Sequence, residues 1–497
     1  MIATSLTGAL LFFTFVIPLE NPMHAFKPPG ILLVTLCAVA LSGCVLGPDY
    51  RVPDVPIAAK WQAPLPHGAS VVALADWWQQ FDDPALAELL RLSETDSPSM
   101  DEAWANISLA RATAASDAAD ALPKIDGTLS GGRGGQQTGA QRLGGSGSSA
   151  TMDAAWELDM FGKLRRNNEA AQSRVEARVD DWHDARVSLA AQVGDYYVQY
   201  RGCQKLVLAY ADQAQSQQDT ARITRQSFGA GFTSSADAAL ADASAASSAA
   251  TLVRQQSECQ VLLKSLVALT GSDEGRLLEV LGQTPAQLPQ PAELQVRQIP
   301  ADLLRQRPDV ASSERELAAA NAEIGVAQAE RLPSLSLSGT FSVGTMVGQR
   351  NRSWSLGPVL SIPLFDGGKR RAAADGAEAS YDAALAVYRQ TLRTSVMEVE
   401  QALVRLDAAR RRESDVARST AGFRESFEAI DRNWQAGNVS LLDRETARRQ
   451  ALTAEIELIT LQQDQVRYWI ALYKALGGGW QASQPLVRNQ ATRGEGA

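Results

Sequence analysis

Two long stretches of this 497-residue chain contain no proline: none falls between Pro123 and Pro285, and none between Pro363 and Pro485. Proline breaks a helix by removing an amide donor and by clashing with the preceding turn. Its absence from stretches rich in Ala, Gln, Arg and Glu therefore permits very long helices. The two stretches are copies of each other. Lys163 and Lys369, Gly231 and Gly437, Asp237 and Asp443, and Gly271 and Gly477 are each 206 positions apart. Upstream the offset is 210, pairing Pro98 with Pro308 and Pro123 with Pro333, so a four-residue difference in length falls between Pro123 and Lys163. Two copies are too few for a solenoid and point to duplication of one large unit.

Glycines interrupt both copies at matching points. Gly229-Ala230-Gly231 and Gly437-Asn438 read as helix stops, with Ser234 and Ser440 as caps of the helices that return. The expected helices span 163–228 and 234–270 in the first copy, and 369–434 and 440–476 in the second. The first of each pair would be ~100 Å long at ~1.5 Å per residue. Leu385, Leu392, Val396, Val399, Leu403 and Leu406 keep a 3.5-residue spacing, answered by Ile456, Ile459, Val466, Ile470 and Tyr473 on the return helix. Such narrow apolar seams pack as coiled coils do.

Two alternating segments precede each long helix, expected as strands over 124–133 and 151–161, and over 334–343 and 354–365. A Gly/Ser tract separates the first two. Leu335, Leu337, Phe341 and Val343 alternate with serines and Thr340; Trp354, Leu356, Leu360, Ile362 and Leu364 share a face opposite Ser353, Ser355 and Ser361. Each run has ~10 residues, the length of a transmembrane strand, although a soluble half-buried sheet has the same pattern. Four strands cannot close a membrane barrel, whose known minimum is about eight, and lipid tolerates no open strand edge. If these strands span a membrane, the chain must oligomerise.

At the N-terminus Lys27 precedes an apolar run, Ile31 to Leu41, that ends in Leu41-Ser42-Gly43-Cys44. A basic start, a short apolar core and small residues read as a secretory signal. The run is too short to span a bilayer comfortably. Leu-Ser-Gly-Cys resembles a bacterial lipobox, which makes residues 1–43 a lipoprotein signal peptide, with a true start possibly at Met23, and Cys44 the lipidated residue. Several acyl chains give a stable anchor where one is marginal. Val45 follows, and Asp at that position would argue for inner-membrane retention.

The net charge of −9 gives no electrostatic case for nucleic acid. The three histidines, His24, His67 and His183, are too scattered for a metal cluster. No paired acid/base arrangement, nucleophile motif, phosphate loop or metal spacing stands out, so neither an enzyme nor a cofactor is expected. Cys203 and Cys259 each lie 28 residues from Gly231, on opposite sides. In an antiparallel hairpin turning there they face each other, as a disulfide or as two buried thiols. An exported protein favours the disulfide.

Several segments together resemble one family. Trp156-Glu157-Leu158-Asp159-Met160-Phe161-Gly162 and Ile362-Pro363-Leu364-Phe365-Asp366-Gly367-Gly368-Lys369 are similar to its strand-to-helix junctions. Arg307-Pro308-Asp309-Val310 resembles its second-repeat helix start, and Trp77-Trp78 with Phe81-Asp82-Asp83-Pro84 its first segment. With the lipobox, these resemble the TolC-like outer-membrane factors, in particular the NodT-type efflux lipoproteins paired with resistance-nodulation-division pumps. The resemblance covers residues 44 to 480 and implies a mainly α fold with membrane β. The unit would be a β-hairpin plus a long antiparallel helical hairpin. A homotrimer would form a 12-stranded β-barrel and a 12-helix periplasmic α-barrel with a mixed equatorial domain. The implied segments are an N-terminal anchor and equatorial segment (44–96), repeat 1 (97–271), an equatorial linker (272–306), repeat 2 (307–477) and an equatorial tail (478–497).

The implied function is a passive outer-membrane channel of a tripartite efflux system, with a periplasmic adaptor and an inner-membrane transporter as partners and outer-membrane lipid around it. An iris-like gate would close its periplasmic tip. Phe228, Gly231, Trp434 and Gly437 match the aromatic-x-x-Gly tip motifs that adaptors contact, with Trp434 where Tyr is more usual. Asp443 matches a tip-constricting aspartate; Asp237 is its repeat counterpart; a second family gate aspartate is Thr446 here. The basic clusters Lys163, Arg165, Arg166 and Lys369, Arg370, Arg371 are expected near the inner leaflet, reaching phosphates or solvent. Alternatives are a type I secretion conduit and, from another class, a structural periplasmic coiled-coil lipoprotein.

Overall fold

The computed structural model describes residues 45–54, 62–63, 77–139, 141–289, 304, 307–346 and 349–478. The expected signal peptide, Cys44, most of the equatorial linker after 289 and nearly all of the tail lie outside them. Gly162 (φ +81°) and Gly368 (φ +91°) turn the chain from sheet into its two longest helices, a conformation that costs a glycine little. The order is a short 3-10 helix Trp77–Phe81, α1 Pro84–Thr95, α2 Pro98–Ala119, β1 Lys124–Thr138, β2 Gln141–Leu158, α3 Lys163–Gly229, α4 Ser235–Thr270 and α5 Glu274–Gly282. Then come α6 Pro308–Ala329, β3 Ser334–Met346, β4 Gln349–Ser361, α7 Lys369–Gln435 and α8 Leu441–Ala475. α3 and α7 have 67 residues each, and α2 and α6 have 22 each. Each 67-residue helix packs against a shorter antiparallel one, α4 or α8.

The seam residues bury as their spacing requires. Leu392, Val399, Leu403 and Leu406 of α7 and Ile459, Val466 and Ile470 of α8 are all buried, each large side chain contributing roughly 1.5–3 kcal/mol. α3 is the central element, touching α1, α2, α4, α6 and α8, whereas α7 touches α6 and α8. The main core lies midway along the long helices. There Trp77, Phe81, Leu86 and Leu89 pack with Tyr197, Leu266, Leu277, Ile470 and Tyr473. Asp83 caps α1 by accepting from Ala85 N (3.0 Å) and Leu86 N (3.2 Å), and it also accepts the Tyr197 hydroxyl (2.5 Å). Arg201, 1 % exposed, donates to that hydroxyl (3.0 Å) and to Leu281 O (2.9 Å), tying α5 to α3. Arg307 starts α6 and reaches Glu398 of α7 (2.8 Å) and Ala475 O at the end of α8 (2.7 Å).

Residues 45–54 form a strap across α3 and α6. Leu46 N donates to Phe161 O (3.1 Å), and Asn321 Nδ2 donates to Pro48 O (2.8 Å). Arg166, 4 % exposed, donates to Leu46 O (3.1 Å) and meets Asp49 at 2.8 Å. Gly47 (φ +89°) lies so close to α6 that an added Cβ would be 2.5 Å from Gly325 Cα. This corrects the expectation that Arg166 reaches solvent or phosphate. Lys163 and Arg165 are likewise held, by Glu157 (2.6 Å) and Asp159 (3.1 Å).

The strands form one antiparallel sheet in sequence order, β1-β2-β3-β4. Its strands differ from those expected. β1 runs through the glycines to Thr138, β2 begins at Gln141, and the Gly/Ser tract is paired strand throughout. Glycine weakens a strand by entropy, but a continuous ladder satisfies every partner, as Gly131↔Ser148 and Gly134↔Gly145 do. β2 ends at Leu158 instead of 161, because Asp159 turns the chain by accepting Leu164 N (3.1 Å) and Arg165 N (3.0 Å). β4 spans 349–361 instead of 354–365, and Ile362, Leu364 and Phe365 follow it. Pro363 cannot extend the ladder.

A disulfide joins Cys203 to Cys259, with Cα atoms 5.6 Å apart. It closes a loop of 56 residues, so chain entropy gives it a worth of about 4 kcal/mol. Replacing both cysteines by serine should lower the thermal midpoint of unfolding and speed amide exchange in α3 and α4; an unchanged midpoint would refute the bridge. Asp180, on α3 against α6, has its pKa pushed up to about 7 by burial, opposed by Arg315 and reinforced by Asp181, Glu176 and Glu314. The folded state thus holds a proton that the unfolded chain releases near pH 4, and stability from this group falls as pH rises from about 4 to 7. The Asp180→Asn variant should be more heat-stable than the parent at pH 8 and equal to it near pH 4, as read by calorimetry.

Candidate functional site

The sheet has two chemically distinct faces. Cross-strand partners place Ile125 with Ala154, Leu129 with Ala150 and Val343, Met152 with Phe341 and Trp354, and Leu158 with Leu335 and Leu360 on one face. Leu129 is 86 % exposed and Trp354 79 %. The other face carries Thr128 beside Thr151 and Ser342, Asp126 beside Asp153 and Thr340, and Glu157 beside Ser336. Its polar side chains bond to one another: Ser130 Oγ and Ser149 Oγ are 2.7 Å apart, and Thr340 donates to Asp153 (2.8 Å). A soluble sheet buries its apolar side; here that side stands exposed. No helix among the described residues is long and apolar enough to cross a membrane.

At the far end of the molecule the two helical hairpins turn with the same hydrogen bonds. Phe232 N donates to Ser227 O (2.8 Å) and Gly231 N to Phe228 O (2.9 Å); Asn438 N donates to Asn433 O (2.9 Å) and Gly437 N to Trp434 O (2.9 Å). Gly231 (φ +80°) and Gly437 (φ +77°) take the left-handed position of this helix stop. Ser440 Oγ accepts Asp443 N (3.2 Å) and donates to the Asp443 carboxylate (2.6 Å), while Ser440 N reaches that carboxylate at 3.3 Å. Ser234 and Asp237 repeat the side-chain contacts at 3.1 and 2.7 Å, and Thr233 adds a third bond to Asp237. The bonds from Ser234 and Thr233 hold the Asp237 carboxyl below the usual carboxylate range. Both aspartates therefore cap helices; Asp443 is exposed and Asp237 half-buried.

The expected tip aromatics separate in environment. Trp434 packs between Ala221, Ala241 and Leu441, with the Arg444 guanidinium 4.3 Å from its ring. Phe228 is 46 % exposed, and Phe232, which the motif reading passed over, is 87 % exposed. Behind Asp443 lies a buried polar knot that the sequence pattern did not single out. Arg444 donates to Asp431 of α7 (2.5 Å) and Thr220 of α3 (2.5 Å) and meets Glu445 at 3.2 Å. Arg448 lies 3.3 Å from Glu445, and its Nε has no acceptor among the described residues. Burial lowers its pKa to about 10. Gln217 of α3 donates to Glu445. The knot joins the first hairpin to the second directly behind the residue that the motif reading picked out. Only the 206-residue offset of Asp443 hinted at its place; Arg444 and Arg448 have no counterpart pattern in the first repeat.

Known proteins share this arrangement. The sequence model described as "Outer membrane efflux protein" matches residues 89–272 and 299–478. Nodulation protein T of Rhizobium leguminosarum bv. viciae is 30 % identical over 477 residues, covering 95 % of this chain and 97 % of the relative. Outer membrane protein OprJ of Pseudomonas aeruginosa is 28 % identical over 481 residues, covering 94 % and 99 %. The solved structure of the outer-membrane channel OprN superposes with a TM-score of 0.79 at 32 % identity, over 88 % of this chain and all of that one. The Campylobacter jejuni CmeC outer membrane channel shares the fold, with a TM-score of 0.77 at 24 % identity. Its duplicated strand-and-hairpin frame, its bare apolar sheet face and its sequence together show that the chain belongs to the outer membrane efflux protein family, as the outer-membrane channel of an efflux system.

Proposed function

We propose that three copies of this chain close a 12-stranded barrel through the outer membrane and continue it as a helical tunnel through the periplasm, conducting cargo passively to the exterior. The observation that carries this reading is the sheet: four strands, an outward apolar face, an inward polar face, and unpaired edges on β1 and β4. Joining β4 of one copy to β1 of the next removes every edge. The helical layer supports the same closure. Leu109, Val253 and Val261 stand exposed on α2 and α4, and Val387, Met397 and Val404 on α7. These flanks suit each other across a copy-to-copy seam.

In this reading the helix turns point at the periplasm and receive an adaptor protein on Phe228, Phe232, Gly231 and Gly437, with Trp434 as the packing support beneath. An inner-membrane resistance-nodulation-division transporter supplies the energy. Cys44 carries the lipid anchor. The placement of its sequence neighbour Val45 beside Gly162, at the junction of sheet and helices, suits acyl chains entering the inner leaflet. Asp443, with Asp237 as a lesser contributor, narrows the tip as a ring of carboxylates that favours cations and disfavours anions. The knot around Arg444 holds that ring closed by tying α8 to α3 and α7.

The channel reading is tested by ion conductance of the purified oligomer in planar bilayers, together with the heat-modifiable mobility of a barrel; a non-conducting dimer would refute it. Asp443→Ala should raise conductance severalfold and weaken the preference for cations, and unchanged conductance would remove Asp443 from the gate. Arg444→Met takes the buried guanidinium away from Asp431 and leaves Glu445 with Arg448 and Gln217 alone, a break in a buried ion network that costs roughly 3–5 kcal/mol. It should increase the fraction of open time beyond that of Asp443→Ala, measured on single channels.

A further inference from the structure

The sheet also sorts its charges by face. Asp126, Asp153 and Glu157 share the polar register, whereas Arg133, Arg350 and Arg352 share the register of Leu129, Val343 and Trp354. The three arginines are exposed, and none has an acidic partner among the described residues. An arginine on the bare apolar face of a membrane sheet is costly at the bilayer midplane and nearly neutral at its rim. Position along the strand therefore decides what these side chains do. Ten residues separate Arg350 from Leu360 on β4. At ~3.3 Å per residue and ~40° of tilt this is ~25 Å along the membrane normal, the height of a barrel's apolar band. Leu360 lies at the helix end of the sheet and Arg350 beside the hairpin turn. The arginines thus stand at the rim farthest from the periplasm, where the guanidinium has left hydrocarbon and meets headgroups.

The surface beside them is shaped for a chain and a headgroup. Gly131, Ser148 and Ala150 leave a shallow depression of about 460 Å³, bordered by Leu129, Val343 and Arg350. Ser148 Oγ and Thr345 Oγ1, 3.0 Å apart, sit at its polar end. Trp354, two residues below Arg352, has the place of an interfacial aromatic. Guanidinium groups bind phosphate oxygens two at a time, which an unpaired pair of arginines on one strand can do.

We infer that Arg350 and Arg352, with Arg133 on the first hairpin, seat the phosphate groups of an outer-leaflet glycolipid, whose acyl chains cover Leu129, Val343 and Trp354. The seat faces lipid, not the lumen, so it is separate from the cargo path and the tip. It rests on the barrel reading above. The acid-free outward face favours an anionic headgroup over a zwitterionic one, since every charge there has the same sign.

The test uses the full-length oligomer in detergent, titrated with phosphorylated lipid A, with the same lipid after removal of its phosphates, and with inorganic phosphate. The parent should bind the phosphorylated lipid, and removing the phosphates should weaken binding about 30-fold, the factor for two surface charges. The double variant Arg350→Gln, Arg352→Gln should lose about the same factor, and Arg350→Lys, Arg352→Lys should recover part of it. Equal binding of both lipid forms by the parent would overturn the inference without any variant. Displacement of the lipid by millimolar inorganic phosphate would overturn it too, assigning the arginines to a free ion. Conductance of each sample is read in parallel: a conducting barrel indifferent to lipid phosphate refutes this seat alone, while a non-conducting parent refutes the barrel.

Discussion

The backbone amides along the outer edges of β1 and β4 govern the rest of this molecule. In water such edges are an aggregation hazard, and in hydrocarbon they cannot exist. The sheet beside them is too small to close on itself and leaves its apolar face exposed. The one arrangement that satisfies edges and faces together is a ring of several copies, and the long helices inherit that ring. Their narrow seams bury one stripe within the chain and leave Val387, Met397 and Val404 on one flank and Val253 and Val261 on another. In the proposed ring the helices are long because the tunnel is carried across a compartment, and the outer two, α4 and α7, keep an exposed apolar flank for a neighbouring copy.

Duplication supplies the frame, and burial then makes the copies unequal. The two tips share the helix stop bond for bond and the same serine cap, yet α3 is flanked by five helices and α7 by two. The polar knot of Arg444, Glu445, Arg448, Asp431, Gln217 and Thr220 exists because the second tip lies against α3. Among the described residues the return helix of the first tip, α4, carries no such knot. A buried charge network of this kind adds little net stability, since desolvation offsets the attraction, but breaking one member leaves the others stranded. That asymmetry suits a joint that has two positions.

Much of the fold was legible in the sequence because it rests on local rules: proline-free runs, serine caps, left-handed glycines and a 3.5-residue seam. The long-range features were legible only where symmetry made them so. Cys203 and Cys259 could be placed opposite each other because both are equidistant from Gly231, and a disulfide stands there. The Gly/Ser tract misled, since glycine is read as loop, and only its complete ladder with a partner strand makes it sheet. Arg166 misled in another way. A basic residue at a helix start is solvated by default, and nothing local announces that Leu46 and Asp49 come back to cover it. The knot of Arg444 and Arg448 was illegible for the same reason: Thr220, the partner that both share, is more than 200 residues away on α3.

The four-residue surplus of the first repeat also has a geometric meaning. β1 and β2 have 15 and 18 residues, against 13 and 13 in β3 and β4. Around a closed ring the hairpins would therefore alternate, tall and short. The mouth of the barrel is then scalloped like a crown, three high points and three notches, even though the wall beneath is nearly six-fold. Anything approaching from outside, such as a phage fibre or an antibody, meets glycine-rich crests first and reaches the lumen through the notches.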